Sequence, residues 1–283
     1  MPTTTFNIPS PPTFAPAFAK PGIIPSPMTE PAHIDPSWQP APGLLQDKVL
    51  LITGAADGIG RALSLACASC SATVVLLDRN VRGLETLYDE IVTAGHPEPA
   101  IYPLDLKGAT PADYQSLADV LEKEFGRLDG LVHNAACLGT LTPLSYLEDE
   151  LWYEVMQTNL HAPFQLTKAC LPLLERPDEA AIIFNTDSVG RHGKAYWGAY
   201  GISKAGIENM MQVLADELDT NTGIRVNSID PGAVRTALRA IAYPAEDRGQ
   251  LNLPANVTNP FLYLLGPDSK GITGQQFVFA DSQ

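Results

Sequence analysis

Tyr200-Gly-Ile-Ser-Lys204 sets a phenol and an ammonium four residues apart, on one face of any helix that carries them. An ammonium one turn away favours phenolate and draws a phenol pKa down from about 10 toward working pH. Tyr200 is therefore a candidate acid/base for a carbonyl oxygen or an alcohol proton. Tyr and Lys at this spacing are common and mean little alone, so their company matters. Ser188 follows the apolar run Ala181–Asn185, where a hydroxyl at the end of a central strand would point into a ligand crevice. Asn159 interrupts an amphipathic stretch, and a buried amide there can organise a water or distort the helix locally. Asn134 closes the run Gly130–His133, where tying neighbouring backbone groups together is an equally good use of its side chain.

A second constellation suits an anionic ligand. The run Val49–Thr53 leads directly into Thr53-Gly54-Ala55-Ala56-Asp57-Gly58-Ile59-Gly60. Glycines at that spacing let the backbone turn sharply, approach a pyrophosphate and pack a helix close to a sheet. The helix N-terminus then offers free N–H groups to phosphate. Further on, Asp78-Arg79 ends the next apolar run. A carboxylate there accepts hydrogen bonds from ribose hydroxyls and opposes a 2′-phosphate by about 4 kcal/mol at ~4 Å and an effective dielectric of ~20. Asp78 thus points to NAD(H) over NADP(H), while Arg79 pulls the other way. Pro231-Gly232-Ala233-Val234-Arg235-Thr236 is a rigid turn after the run Arg225–Ile229, with Val234 and Thr236 placed to meet a nicotinamide carboxamide.

These residues need a scaffold, and the chain spells one out. From Leu44 onward short apolar runs alternate with amphipathic stretches, as in a parallel sheet wrapped by helices. The strand candidates are Val49–Thr53, Thr73–Leu77, Ala100–Tyr102, Gly130–His133, Ala181–Asn185, Arg225–Ile229 and Gln276–Phe279. Helices are predicted over Ile59–Ser69, over Arg82–Ala94, from Pro111 with Thr110 as cap, and over about Glu150–Leu174, bent by Pro163 and Pro172. The next carries Ile207, Met211, Leu214 and Leu218 as one stripe. The economical α/β topology is a Rossmann-type doubly wound, seven-stranded parallel sheet flanked by helices on both faces. Residues 1–43 stand apart, holding twelve of the chain's 25 prolines and only Lys20, Glu30 and Asp35 as charges. They are expected to form a mobile Pro-rich extension, although Phe6, Phe14, Phe18, Ile23, Ile24 and Trp38 could lie on the domain, residues 44–283, or on a neighbouring subunit.

A net charge of −14 argues against nucleic-acid binding, which needs clustered cations, and against docking on anionic membranes. No apolar stretch approaches a bilayer span and no export signal is visible, so a cytoplasmic location is expected. Cys67 and Cys70 have C-x-x-C spacing but fall inside a predicted helix, which favours packing over redox chemistry. No His, Cys or carboxylate set has metal-site spacing, so no metal is expected.

Taken together, Thr53–Gly60, Leu104-Asp105-Leu106, Asn134-Ala135-Ala136, Asn159, Ser188, Tyr200/Lys204 and Pro231-Gly232 resemble the short-chain dehydrogenase/reductase family, over about Leu44 to Ala280. Ser188-Val-Gly-Arg191, Trp197-Gly-Ala-Tyr200 and Arg235-Thr-Ala-Leu-Arg239 further resemble its bacterial YciK-type oxidoreductases. The resemblance implies hydride exchange between nicotinamide and a secondary alcohol or ketone. It makes Tyr200 the catalytic acid/base and Ser188 the group that orients the substrate oxygen. Lys204 would hold the nicotinamide ribose and lower the Tyr200 pKa, Asn159 would support a proton relay, and Asp105 and Leu106 would meet adenine. It also implies a homodimer or homotetramer built on the Glu150 and Tyr200 helices. A non-catalytic dinucleotide sensor or scaffold is the competing class on the same fold. The sequence departs from the family at Ala136, where a glycine is usual, at Asp187, where a small hydroxyl residue is common, and at Asp78, where YciK-type chains are expected to carry glycine. Substrate identity is left open: Ala237 to about Leu253 is expected to form a lid, His192 and Trp197 could line the pocket, and Arg235, Arg239 and Arg248 are equally acid receptors or solvated charges.

Overall fold

The computed structural model describes residues 31–279. Its short apolar runs become β1 (Val49–Thr53), β2 (Thr73–Asp78), β3 (Ala100–Pro103), β4 (Gly130–His133), β5 (Ala180–Asn185), β6 (Ile224–Asp230) and β7 (Gln276–Val278). They form one sheet in the order β3-β2-β1-β4-β5-β6-β7, parallel at every pairing. β1 and β6 are buried at every residue, as befits strands covered on both faces; β1 reads as a nearly continuous apolar run, whereas β6 buries Arg225, Asn227, Ser228 and Asp230 as well. The pleat divides the residues of β1: Leu50 and Ile52 join one core, Val49 and Leu51 the other.

Two helical layers supply those cores. Leu63 and Cys67 of α1 (Gly58–Ser69) and Leu84, Leu87 and Ile91 of α2 (Val81–Thr93) cover the first face. Cys67 and Cys70 are buried packing residues there. Tyr114 and Leu117 of α3 (Pro111–Phe125) cover the second. Thr110 caps α3 with Asp113 in a reciprocal capping box and Pro111 opens it, using the backbone donors that a helix start leaves over.

The expected long helix is observed in three pieces: α4 (Asp149–Met156), a π-helical turn over Gln157–His161 and α5 (Ala162–Leu174). Pro163 has no N–H to return to the carbonyl of Asn159, so the ladder widens at this point, whereas Pro172 is accommodated inside α5. The remaining helices are the short α6 (Ser188–Arg191), the long α7 (Gly198–Leu218), α8 (Ala237–Ala242) and α9 (Asn259–Leu265). Ile207, Met211 and Leu218 of α7 are buried as their spacing predicts. Among the described residues no helix is long and apolar enough to cross a membrane.

Residues 31–43 depart from the expected extension. The Ala32 N–H donates to Gln276 O at 2.7 Å and Val278 N–H donates back to Ala32 O at 3.1 Å, covering the outer edge of β7. Trp38 packs edge-on against Tyr263 at 5.4 Å and donates its indole N–H to Asp268 at 2.9 Å. Proline removes donors but not apolar side chains, and an open sheet edge gives those residues somewhere to bind. Phe6, Phe14, Phe18, Ile23 and Ile24 lie outside the described residues.

Between β1 and β4 the strand order reverses, and helices depart to opposite faces of the sheet; such a point leaves a crevice at the carboxyl ends of the strands. His133 lies beneath it as a core residue, 5 % exposed, stacked on Phe184 at 4.8 Å and hydrogen-bonded to Thr167 at 2.8 Å. Burial lowers its pKa from 6.5 to about 3. The unfolded chain therefore binds a proton below about 6.5 that the folded chain refuses, and this contribution to stability is complete above that pH and falls away below it. Between about pH 7 and about pH 5 the wild type should lose about 2 kcal/mol more than His133→Gln. Denaturant midpoints at both pH values measure this, and equal losses would contradict it.

Candidate active site

A cleft of about 660 Å³ runs along the carboxyl ends of β2, β1, β4 and β5. At its centre lies the glycine turn. Gly54 and Gly58 have φ of 68° and 54°, a region costly for side-chain-bearing residues. A Cβ on Gly54 would stand 2.9 Å from Ala135 Cα, and one on Gly60 would strike the Gly54 carbonyl and the Asn134 amide. Gly60 therefore backs the turn and lies outside the cleft lining, whereas Gly54, Asp57, Gly58 and Ile59 line it. Asp57 caps α1 by accepting from Gly58 N–H at 2.7 Å.

Asn134 holds this turn. Its Nδ2 donates to Thr53 O at 3.0 Å and Gly54 O at 3.3 Å, and its Oδ1 accepts from Asn185 Nδ2 at 2.9 Å. The backbone N–H groups of Asn134 and Ala135 both donate to Thr53 Oγ1. At one end of the cleft Asp78 and Arg79 sit beside Asp105 and Leu106. The Asp78 carboxylate accepts from Ala56 N–H at 3.1 Å and Asn80 N–H at 2.9 Å, which pins it to the rim. At the other end Tyr200 and Lys204 face Pro231, Gly232, Val234 and Thr236. Backbone that turns only with glycine, a helix N-terminus and an anchored carboxylate make a donor and acceptor set that fits a dinucleotide.

Tyr200 and Lys204 are both 5 % exposed. The ammonium lies 5.5 Å from the Tyr200 ring centroid and donates to Asn185 O at 2.8 Å. Burial lowers its pKa to about 8. The expected lowering of the Tyr200 pKa does not occur in this structure: burial, then the charge of Asp187 and the hydrogen bond to it, push the phenol well above its ordinary value. Asn159 lies behind the cleft lining. Its amide accepts from Cys137 N–H at 2.7 Å and donates to Cys137 O at 2.8 Å and Ser203 Oγ at 3.1 Å. It joins the segment after β4 to the neighbour of Lys204.

Ser188 does not stand where it was expected. It is exposed and outside the cleft, its hydroxyl donating to Asp187 Oδ1 at 3.2 Å. Asp187 lines the cleft instead, and its Oδ2 accepts from Tyr200 O–H at 3.4 Å. Asp187 caps α6 by accepting from Val189 N–H at 3.1 Å, which turns the residue before Ser188 toward the tyrosine and Ser188 itself outward. Arg191, which sequence reasoning passed over, anchors α6 from below. It reaches Asp230 at 2.5 Å and Glu208 at 3.6 Å, with 11 % of its side chain exposed. Glu208 also accepts from Thr186 and Ser228 hydroxyls, each at 2.6 Å. These partners come from α7, β6 and the residue that follows β5, so no local spacing announces them.

The segment after Thr236 carries no strand and flanks the cleft through Ala237, Leu238, Arg239 and Ile241 of α8. Arg239 is committed to Glu246 at 2.6 and 2.8 Å, and Arg235 and Arg248 border a separate groove. Trp197 is buried against Tyr200 and Tyr243, while His192 is exposed and away from the cleft. Among the described residues no group of three or more His, Cys, Asp or Glu is placed to hold a metal ion.

Known proteins share this architecture and sequence. The family model for short chain dehydrogenase matches residues 48–247. The chain is 44% identical to the Escherichia coli K12 protein named uncharacterized oxidoreductase YciK, over 85% of this chain and 94% of that one. A putative short chain dehydrogenase from Pseudomonas syringae superposes with a TM-score of 0.85 at 49% identity, covering 87% of this chain and 99% of that one. One from Shigella flexneri, complexed with NADP, gives 0.82 at 44% identity, covering 84% and 99%.

Removing the cation beneath the site should be costly. Arg191→Met would leave Glu208 and Asp230 buried without their counter-charge, and unfolding by denaturant should show a loss of about 3–5 kcal/mol. A loss below about 1 kcal/mol would mean that the cluster does not hold α6 in place.

Proposed function

Because the chain belongs to the short-chain dehydrogenase family of oxidoreductases, we propose that it transfers hydride between NAD(H) and a secondary alcohol or ketone. The observation that carries this reading is one cleft with a buried Tyr200/Lys204 pair at one end and Asp78 on its rim at the other. The nicotinamide dinucleotide supplies the hydride chemistry. Gly54, Asp57, Gly58, Ile59 and the first turn of α1 would hold its pyrophosphate, with Gly60 giving the turn its close packing. Asp105 and Leu106 would meet adenine. Asn134, Ala135, Pro231, Gly232, Val234 and Thr236 would frame the nicotinamide end, and Lys204 the ribose there.

Tyr200 exchanges the proton with the substrate oxygen. Asn159 supports the relay by fixing Ser203 beside Lys204. Wet, exposed Ser188 has no place in this arrangement, and a purely sensing role is disfavoured because a sensor needs no phenol and ammonium buried together. Exposed apolar residues on the outer helices, Tyr153, Phe164, Ile202 and Val213, support a homo-oligomer formed through α4, α5 and α7.

The preference for NAD(H) rests on Asp78. The Shigella flexneri relative is complexed with NADP, yet here a carboxylate pinned by two backbone N–H groups would oppose a 2′-phosphate brought to that rim. Titration followed by nicotinamide fluorescence should give NADH about tenfold or greater advantage over NADPH, and Asp78→Gly should abolish that advantage. Tighter NADPH binding by the wild type would show that Arg79 governs instead. Binding of neither would overturn the function.

A further inference from the structure

The tyrosine of this site points its hydroxyl at a carboxylate. Asp187 Oδ1 is occupied, accepting from Val189 N–H at 3.1 Å and from Ser188 Oγ at 3.2 Å. Oδ2 faces the cleft and accepts from Tyr200 O–H at 3.4 Å. A phenol has one proton. While that proton points at Oδ2, the Tyr200 oxygen can only accept, and the complementary group on a substrate is a hydroxyl rather than a carbonyl.

We propose that Asp187, rather than Ser188, works with Tyr200 on the reacting oxygen, taking the proton that Tyr200 passes on, so that the site is built to dehydrogenate a secondary alcohol. This rests on the hydride-transfer reading above and adds to it the substrate class, the direction and the final proton acceptor. The alcohol O–H donates to Tyr200 Oη. As the carbinol C–H bond breaks, its electron pair leaves as hydride to the oxidised nicotinamide and the C=O bond forms. The alcohol proton becomes bonded to Tyr200 Oη while the phenol's own proton moves to Asp187 Oδ2. The products are ketone, reduced dinucleotide and a neutral Asp187 carboxyl, which releases its proton to solvent.

The surrounding charges suit this assignment. Arg191 is held by Asp230 and Glu208, and Arg239 by Glu246. Lys204 of α7 and Arg239 of α8 both act electrostatically on Asp187. Asp230 at the end of β6 and Tyr243 beyond α8 also act on Tyr200, in the same direction as Asp187. Burial and these neighbouring groups disfavour the phenolate, which fits a concerted hand-over of the proton to the Asp187 carboxylate beside it. The anchoring of α6 by Arg191 keeps Oδ2 aimed at the tyrosine.

The test uses the full chain, with tyrosine isotope-labelled at the ζ carbon and the Tyr200 resonance assigned by its absence in Tyr200→Phe. Asp187→Asn removes the charge but keeps the shape, and should move ionisation of Tyr200 down by about one pH unit, whereas Ser188→Ala should leave it in place. An unmoved resonance in Asp187→Asn, or an equal movement in Ser188→Ala, overturns the assignment. With NAD+ and cyclohexanol as probe, Asp187→Asn should lower kcat by about 100-fold or more at nearly constant KM. A rise in KM that matches the fall in kcat would make Asp187 structural, and a wild type that reduces cyclohexanone but oxidises no secondary alcohol would contradict the substrate class. NADH binding by the wild type, read from its fluorescence, keeps the two readings apart. Its absence sinks the hydride-transfer function, whereas intact binding with an unmoved Tyr200 resonance sinks only the role of Asp187.

Discussion

A line of hydrogen bonds across the strand ends organises this molecule. Asn134 donates to the carbonyls of Thr53 and Gly54, Asn185 donates to Asn134, and Lys204 donates to the carbonyl of Asn185. The line starts in the glycine turn after β1, crosses β4 and β5, and ends on α7. It joins the carboxyl ends of adjacent parallel strands where the topology opens a crevice. Side chains must do this because the ladder itself stops at the strand ends, leaving backbone carbonyls that burial would otherwise penalise. The dinucleotide end and the proton-transfer end of the cleft are thereby fixed relative to one another.

Beneath that seam lies a charged layer that most cores avoid. Arg191, Asp230 and Glu208 are all buried or nearly so, and Glu208 is further satisfied by Thr186, Ser228 and Gln276. Burying such groups gives little net stability, but removing one leaves the others without compensation. The arrangement therefore acts as a latch that fixes the position of α6. A latch at that point governs which side chain, Asp187 or Ser188, meets the tyrosine.

Much of this was legible in the sequence because the relevant physics is local. A strand covered on both faces is commonly a short apolar run, so Gly130–His133 appears in the structure with the same bounds as in the chain. The glycine turn and the Tyr200/Lys204 spacing likewise carry their geometry within a few residues. What escaped depends on long-range partners. The shift from Ser188 to Asp187 is one residue in sequence but is set by a cap and a buried ion pair. Residues 31–43 look coil-like by proline content, yet the edge of β7 and Tyr263 give them partners. The Tyr200 pKa was expected to fall because of Lys204 alone, and burial beside Asp187 reverses that direction.

The central claim is that this seam delivers Tyr200 to a substrate oxygen beside bound nicotinamide. Single-turnover absorbance of reduced nicotinamide tests it, after the protein is mixed with NAD+ and a panel of secondary alcohols, in the wild type and in Tyr200→Phe. The account predicts that the variant binds the dinucleotide as tightly as the wild type while its turnover falls by about 100-fold or more. Turnover that survives the loss of the phenol would contradict it, and so would a variant that loses dinucleotide binding together with activity.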